Sequence, residues 1–383
     1  MLSLPPLSLY IHIPWCVEKC PYCDFNSHKL RGEIPEQAYL QALIDDLKND
    51  LVYVQGRLLT SIFIGGGTPS LISASGINWL LTEIGKVLPF TKDMEITLEA
   101  NPGTIENQRI ADFKAAGINR FSFGVQSFQS QKLKVLGRIH GPEEAKSAAR
   151  QAIAANVKTF NLDLMHGLPE QTITDALSDL QTAIELNPTH LSWYQLTIEP
   201  NTQYFSHPPT LPEEDLLWEI QEAGQKLLAE KGYHQYEISG YSKIGFECQH
   251  NLNYWSFGDY IGIGCGAHGK FTQPLENRII RTTKIKHPKG YLDSGRPFLD
   301  TLEQVVREDL AFEYMLNRLR LFQPIPFIEF ESYTGLDIDK IKQPIEIALN
   351  KKLLTKDANS WQVTDLGHRY LNELLALFME MDE

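Results

Sequence analysis

Three cysteines stand within eight residues near the start of the chain, at Cys16, Cys20 and Cys23. The other two cysteines, Cys248 and Cys265, lie far along the chain. A C-x3-C-x2-C run supplies three thiolates to one small volume, one ligand short of a closed four-cysteine site. A [4Fe–4S] cluster held by three thiolates keeps one iron open for a small molecule. The spacing therefore predicts chemistry or recognition at that open iron, by the same logic that separates catalytic from structural zinc.

Two other interpretations of these cysteines have to be weighed. A disulfide suits a secreted chain, but the sequence shows no basic and apolar leader, and five cysteines in 383 residues are sparse. Zinc usually draws C-x2-C pairs with a fourth ligand close by, which His12 or His28 could supply. Spacing alone favours an iron–sulfur cluster and leaves zinc as the alternative.

Two further features follow strand-like runs. The segment 65–69 reads Gly-Gly-Gly-Thr-Pro, and glycines at such a point let the backbone approach a ligand closely. Glycine-rich segments after strands are about as often only turns. Glu99 ends another strand-like run, where a carboxylate can point into the mouth of a barrel and accept hydrogen bonds from an ammonium group or a ribose.

A second set of polar residues lies in apolar surroundings. Asp163 stands inside the run Phe-Asn-Leu-Asp-Leu-Met, and a buried acid is costly unless it has a partner or faces a polar cavity. Arg138 suits a carboxylate ligand through its bidentate fork. Gln126 follows the apolar run Phe-Gly-Val. These three residues form the next tier of candidates.

The elements that position these residues alternate along the first two-thirds of the chain. Strand-like runs cover 7–13, 61–65, 95–100, 120–125, 159–165 and 190–196. Amphipathic stretches between them cover 35–55, 73–87, 104–116, 142–155 and 172–186. Such alternation implies parallel strands with helical crossovers, and six strands are too few for an eight-stranded barrel. We predict an α/β fold with a partial (β/α)6 barrel, in which functional residues gather where strands run into loops.

The pattern becomes helical after residue 300. It predicts helices over 302–321, 325–334 and 338–351, a hairpin over 353–364 and a last helix over 366–380. We therefore expect a barrel domain with an irregular extension over 1–290 and a small, mostly helical, winged-helix-like domain over 300–383. Few basic residues cluster in this second domain beyond Arg318, Arg320, Lys351 and Lys352, so we interpret it as a packing or partner domain.

Composition narrows the class of protein. A hydrophobic content of 43% and a charged content of 22% are those of a soluble globular chain. The net charge of −13 argues against nucleic acid as a partner. No apolar run approaches the ~20 residues that span a bilayer, so an integral membrane protein is not expected. Reduced, metal-binding cysteines fit the cytoplasm.

The cysteine segment carries a resemblance to a known family. The run from Tyr10 to Cys23, with its three cysteines, resembles the radical S-adenosylmethionine (SAM) superfamily, and segments 10–14 and 20–25 look like its coproporphyrinogen-dehydrogenase-like branch. The resemblance implies a [4Fe–4S] cluster on the three cysteines, with SAM on the open iron. It also implies SAM contacts at Tyr10, Tyr22, Gly66, Gly67, Thr68, Glu99, Gln126, Arg138 and Asp163.

That branch divides in two. Its oxygen-independent coproporphyrinogen III dehydrogenases carry a fourth cysteine two residues after the third, where this chain has Phe25. Segments 4–10, 23–28 and 250–255 look instead like the haem chaperones of the branch. The resemblance then implies haem binding and transfer to haem-dependent respiratory proteins, membrane-bound ones among them. A radical enzyme acting on a tetrapyrrole is the alternative, and Phe25 argues against it.

The haem ligand is the least defined part of this interpretation. The resemblance favours His250, which opens an aromatic-rich stretch, and a neutral imidazole is a common haem-iron ligand. His12, His28 and His268 are its rivals. No catalytic residue is assigned, whether SAM is cleaved stays open, and a homodimer is among the states that the sequence allows.

Overall fold

A computed structural model describes residues 2–104 and 109–379. Six strands, β1–β6, pair side by side in chain order and are all parallel; they are Leu7–Ile13, Leu59–Gly66, Phe90–Ala100, Arg120–Gln126, Thr159–His166 and His190–Gln195. The connections between them contain helices α1–α6, which are Glu36–Asp50, Ala74–Val87, Arg109–Ala115, Ser130–Val135, Pro142–Ala154 and Ile173–Glu185. This order confirms the predicted partial barrel. The short helix α4 was not predicted, and residues 105–108 of the predicted helix 104–116 lie outside the described residues.

Local sequence explains these elements. In β1 every residue but Tyr10 is buried, as expected for a parallel strand covered on both faces. Helix α2 begins after Ser73, whose hydroxyl accepts the Gly76 N–H. Helix α6 begins with a capping box formed by Thr172 and Asp175. The helices thus start directly after the loops that follow the barrel strands.

Within residues 2–104 and 109–379 the sheet continues on both sides of the barrel strands to a total of twelve strands. Asp259–Ile263 pairs with the free edge of β1 and is parallel to it. Three antiparallel strands follow, at His268–Gln273, Arg278–Lys284 and Leu299–Gln304. At the other edge Gly240–Ser242 and His234–Gln235 extend β6. The region expected to be irregular therefore supplies ordered strands, connected through the helices Gln203–Ser206, Glu214–Glu230, Gln249–Trp255 and Pro288–Tyr291.

Buried ion pairs hold this extension against the barrel. Lys284 Nζ lies 2.6 Å from Asp46 Oδ1 and 2.8 Å from Asp50 Oδ2 on α1. Lys270 Nζ lies 3.0 Å from Asp259 Oδ1, and Arg57 reaches the other oxygen of that carboxylate at 2.8 Å. Because removing one partner leaves an uncompensated buried charge, these contacts fix the position of the strands that carry them.

The C-terminal part is mostly helical, as predicted. Its helices are Leu310–Arg318, Phe327–Thr334, Lys342–Asn350, Asp365–Arg369 and Leu371–Met379, and a three-stranded sheet joins Ile325–Pro326, Ser360–Val363 and Leu354–Lys356. The predicted helix over 302–321 is wrong at its start, because Leu299–Gln304 is the edge strand of the large sheet. Residue 380 of the last predicted helix lies outside the described residues. The division into domains at 290–300 stays a prediction; the second apolar core also takes in Phe257 and Ile279.

Candidate cofactor site

One cavity of about 440 Å³ opens where the barrel strands end. Its wall contains most of the residues singled out from the sequence, namely Cys16, Cys20, Tyr22, Cys23, Gly66, Gly67, Thr68, Glu99, Gln126, Arg138 and Asp163. Tyr10 and His250 do not line it. Segments that are far apart along the chain therefore meet at the carboxyl edge of the sheet.

The cysteines lie on a loop that closes on itself. Its two ends, Trp15–Cys16 and His28–Lys29, pair as short parallel strands. Cys16 is buried, and Cys20 and Cys23 are half-buried free thiols. Burial raises the pKa of the Cys16 and Cys23 thiols. The protein without metal therefore favours neutral thiols, and a bound metal would have to displace their protons.

The glycine run allows this loop to approach β2. A Cβ on Gly67 would lie 2.6 Å from the Trp15 carbonyl oxygen and 3.1 Å from Cys16 Sγ. Gly66 has a φ of +113°, and a Cβ there would meet the His12 ring at 2.7 Å. A side chain at Gly67 would push the cysteine loop away, and one at Gly66 would collide with His12 on β1, so the run has a specific steric function.

Two of the carboxyl groups that line the cavity, those of Glu99 and Asp163, project from barrel strands. Glu99 Oε2 accepts the Gly66 N–H at 3.1 Å, and burial, followed by the charge of Asp163, raises the pKa of Glu99 to about 8. Asp163 accepts hydrogen bonds from Ser122 Oγ at 3.1 Å and Asn161 Nδ2 at 2.7 Å, and burial raises its pKa as well. Two buried acids so close together would be stabilised by a cation or by hydroxyl donors of a ligand.

Arg138 and Gln126 complete the opposite wall. Arg138 Nη1 donates to Cys20 Sγ at 3.5 Å and Nη2 to the Gly124 carbonyl at 2.5 Å, while its buried Nε has no partner. Gln126 has a φ of +70° at an irregularity in the pairing of β4 with β5, and its Oε1 accepts the Tyr194 hydroxyl at 2.9 Å. A bulge of this kind re-aims a side chain, here into the cavity.

Tyr10 lies behind the wall of the cavity and holds His12 in place. Its hydroxyl lies 3.0 Å from His12 Nδ1, and His12 Nε2 lies 2.8 Å from the Asn26 carbonyl oxygen. Because a carbonyl only accepts, Nε2 is the donor and Nδ1 accepts from Tyr10. Burial and then the charge of Glu99 raise the Tyr10 pKa, so its hydroxyl keeps its proton. The chain of bonds ties β1 to the cysteine loop.

The structure places His250 away from the cysteines. Its Nδ1 lies 3.1 Å from Ser61 Oγ, near the amino end of β2, and its ring packs on Phe63 with centroids 5.1 Å apart. The side chain is enclosed, and burial lowers its pKa to about 3. Its assignment as a haem ligand stays a prediction, and ligation would require the helix Gln249–Trp255 to move.

Sequence reasoning missed several residues of this site. Ser122, Asn161 and Ser192 stand at matching or neighbouring register positions of β4, β5 and β6, and all three contribute to the polar contacts around Asp163. Tyr194 also belongs to the site, because its hydroxyl reaches Gln126. The available signal was a polar residue repeated in neighbouring apolar strands, which marks a polar cavity inside a barrel.

Comparison with known proteins agrees with this architecture. The family model of the radical SAM superfamily matches residues 10–182, and that of the HemN C-terminal domain matches residues 305–370. The solved structure of coproporphyrinogen III oxidase (HemN) from Escherichia coli, a radical SAM enzyme, superposes with a TM-score of 0.82 at 23% identity, over 98% of this chain and 90% of that one. The partial parallel barrel and the cysteine loop together define a radical SAM protein, and its C-terminal part is of the HemN type.

Curated relatives identify the family within that class. The heme chaperone HemW of Escherichia coli is 57% identical over 99% of this chain and 100% of its own length. The heme chaperone HemW of Haemophilus influenzae is 55% identical over 99% of both chains, and that of Bacillus subtilis is 34% identical over 97% of this chain and 99% of its own. This chain belongs to the HemW family.

Proposed function

We propose that this protein is a haem chaperone that binds haem, carries a [4Fe–4S] cluster with SAM, and transfers haem to haem-dependent proteins. The observation that carries the proposal is the near full-length similarity to relatives that are named heme chaperones. Recipients include membrane-bound respiratory proteins in this proposal, and the site of action is the cytoplasm. Among the described residues no helix is long and apolar enough to cross a bilayer.

The three cysteines in the wall of the cavity support the cluster that the superfamily implies. Cys16, Cys20 and Cys23 supply three sulfur ligands on one loop, and the absence of a Cβ at Gly67 leaves room beside Cys16 Sγ. Arg138 already donates to Cys20 Sγ, and a cation beside a thiolate stabilises it. When bound, the cluster supplies an electron at an iron that the protein leaves open.

The remaining wall fits SAM. The carboxyls of Glu99 and Asp163 are suited to its ammonium and ribose hydroxyl groups, and the partnerless Nε of Arg138 to a carboxylate. The backbone of Gly66, Gly67 and Thr68 borders the same space. In this proposal Tyr22 and Gln126 line the pocket, and Tyr10 contributes indirectly by holding His12.

In this proposal Phe25 is the residue that favours haem transfer over the turnover of coproporphyrinogen III. Its side chain is 57% exposed at the rim of the cavity. It stands where the resemblance places the fourth cysteine of the dehydrogenases, and a phenyl ring cannot provide that cysteine's thiol. The shared fold with coproporphyrinogen III oxidase does not by itself carry the enzyme's activity to this chain.

An anaerobic turnover assay tests the proposal. The protein, with its cluster reconstituted, is incubated with coproporphyrinogen III, SAM and a reductant, and porphyrinogens are separated and quantified. We expect no decarboxylation beyond background. Protoporphyrinogen that accumulates through many turnovers would overturn the proposal and restore the radical enzyme.

A further inference from the structure

A pair of histidines lies on the surface beside the cysteine loop. The rings of His28 and His287 meet edge to face, with centroids 5.3 Å apart and an interplanar angle of 69°. His28 is half-buried at the end of the cysteine loop, whereas His287 is exposed on the segment that follows the strand Arg278–Lys284. Two segments more than half the chain apart thus present imidazoles to one spot.

The hydrogen bonds of the pair leave a free nitrogen. His28 Nε2 lies 3.2 Å from the Lys286 carbonyl oxygen, which only accepts, so Nε2 carries the proton and the lone pair is on Nδ1. His287 Nδ1 accepts the Lys289 N–H at 3.2 Å. A ligating histidine typically donates its other N–H to a backbone carbonyl, which is the contact that His28 makes. In this arrangement His28 Nδ1 offers a free lone pair. His287 Nδ1 offers a second one only when it no longer accepts the Lys289 N–H.

The platform under the pair is fixed. The Lys286 carbonyl also accepts from Asn26 Nδ2 at 2.9 Å and from Cys265 Sγ at 2.7 Å. Asn26 Nδ2 in addition donates to the Cys265 carbonyl at 2.9 Å. A Cβ on Gly266, whose φ is +76°, would meet Asn26 Nδ2 at 2.3 Å. The glycine-rich turn around Cys265 therefore clamps the cysteine loop and the His287 segment together.

The surroundings match the chemistry of haem. Lys19, Lys286 and Lys289 are exposed around the pair in a chain with a net charge of −13, and Lys19 Nζ donates to the carbonyls of Phe25 and Ser27. Phe25 offers an exposed aromatic ring on the same loop. Haem combines an iron, an apolar disc and two carboxylates, for which an imidazole, an aromatic ring and lysines are complementary. Two acids on this loop, Glu18 and Asp24, are exposed, and Glu18 is paired with Lys29 at 2.5 Å.

We propose that haem binds at this surface, with an imidazole of the His28–His287 pair on the iron and lysines at the carboxylates. The assignment rests on the proposed haem-chaperone function and specifies where the cargo lies. A surface site suits a ligand that must be passed on, whereas His250 is enclosed by Ser61 and Phe63. Through Asn26 and Lys286 the same surface is bonded to the loop of the cysteines.

The test is a haem titration followed by the Soret band, with variants that keep the structural hydrogen bonds. His28→Gln retains a donor to the Lys286 carbonyl, and His287→Asn retains an acceptor for the Lys289 N–H. We expect the double variant to raise the Kd for haem by about tenfold or more and to shift the Soret maximum. The exposed, distant His234→Asn is the matched control and should bind as the unaltered protein does. Loss of haem binding in His250→Gln, with binding kept in the double variant, would overturn the assignment and favour His250.

Metal-free protoporphyrin IX separates ligation from packing. Its affinity should be the same for the unaltered protein and the double variant, because it has no iron to ligate. Equal loss for both porphyrins, or an unchanged haem Kd and Soret band in the double variant, would overturn the assignment. Failure of the unaltered protein to bind haem at all would instead contradict the proposed function. Cluster iron content and far-UV circular dichroism of the double variant should remain those of the unaltered protein, which shows that folding is not the cause.

Discussion

Two carboxylates on one strand, Glu95 and Glu99, have opposite environments. Glu95 accepts the backbone N–H groups of Gln249 and His250 at 3.2 and 3.1 Å, receives the Cys248 thiol, and lies 3.9 Å from Arg120. It binds the amino end of the helix Gln249–Trp255 and does not line the cavity. Glu99, four residues on, has one backbone donor and faces the cavity beside Asp163.

The comparison separates a structural site around Glu95, here called the inner site, from a binding site around Glu99, the outer site, that is built from the same residue types. Each has a cysteine, an arginine and a carboxylate close together. At the inner site the carboxylate is used by the fold, although the buried Arg120 Nε has no hydrogen-bond partner among the described residues. A negative charge at a helix amino end is stabilising without any ligand. At the outer site the polar groups remain undersatisfied until a ligand arrives, which is the mark of a binding site.

The largest expected effect is loss of the cluster from the outer site. Replacing Cys16, Cys20 and Cys23 together by serine should reduce the iron and sulfide of the reconstituted protein from about four each per chain to background, because no ligand set remains. Cys248→Ser and Cys265→Ser are the matched controls and should retain the cluster. Full retention in the triple variant would contradict the assignment of these ligands.

Glu95→Ala should damage the inner site through folding. The substitution leaves the buried Arg120 without its carboxylate, with only Thr97 Oγ1 in reach within the described part of the chain, and removes the acceptor of the Gln249 and His250 N–H groups. We therefore expect the free energy of unfolding to fall by about 3 kcal/mol. Urea unfolding of the cluster-free protein measures this. An unchanged midpoint would show that the helix amino end and Arg120 find other partners, and would remove the contrast between the two carboxylates.

Glu99→Gln should raise the free energy of unfolding, whereas Glu95→Ala should lower it. The folded-state pKa of Glu99 is about 8, above its usual 4.5, so between these pH values the unfolded carboxyl is ionised while the folded one keeps its proton. The free energy of unfolding therefore falls as pH rises through this window. Glutamine cannot ionise, so it removes that fall. The gain in the free energy of unfolding of the cluster-free Glu99→Gln variant over the unaltered protein should be larger at pH 8 than at pH 5 by roughly 1–3 kcal/mol. A parallel pH dependence in both proteins would show that Glu99 does not titrate there.

The fold was largely predictable because its signals are local. Apolar runs of strand length alternating with amphipathic stretches identify parallel strands, and the three cysteines identify themselves by spacing. The contrast between Glu95 and Glu99 was not predictable, because it depends on which distant segment covers each carboxylate. His250 could not be placed for the same reason. The helix predicted over 302–321 begins too early, because the exposed edge strand Leu299–Gln304 has no buried face to impose alternation.

The smallest expected effect concerns the approach of the cysteine loop. Gly67→Ala should lower cluster occupancy to a fraction of that of the unaltered protein, since its Cβ would press on the Trp15 carbonyl. Gly85→Ala is the matched control, because a Cβ there meets only the Phe90 ring at 3.6 Å and alanine favours the helix. Equal iron content in both variants would show that the loop can move aside without loss.

Haem transfer tests the central claim most directly. The reconstituted protein, loaded with one equivalent of haem, is mixed under anaerobic conditions with an apo-haem protein of distinct Soret spectrum, with and without SAM. We predict that haem transfer to the acceptor is faster than the dissociation of haem from the protein, which is measured separately with a haem-trapping globin in the buffer. Transfer no faster than that release would mean that the protein only stores haem, and would contradict its function as a chaperone.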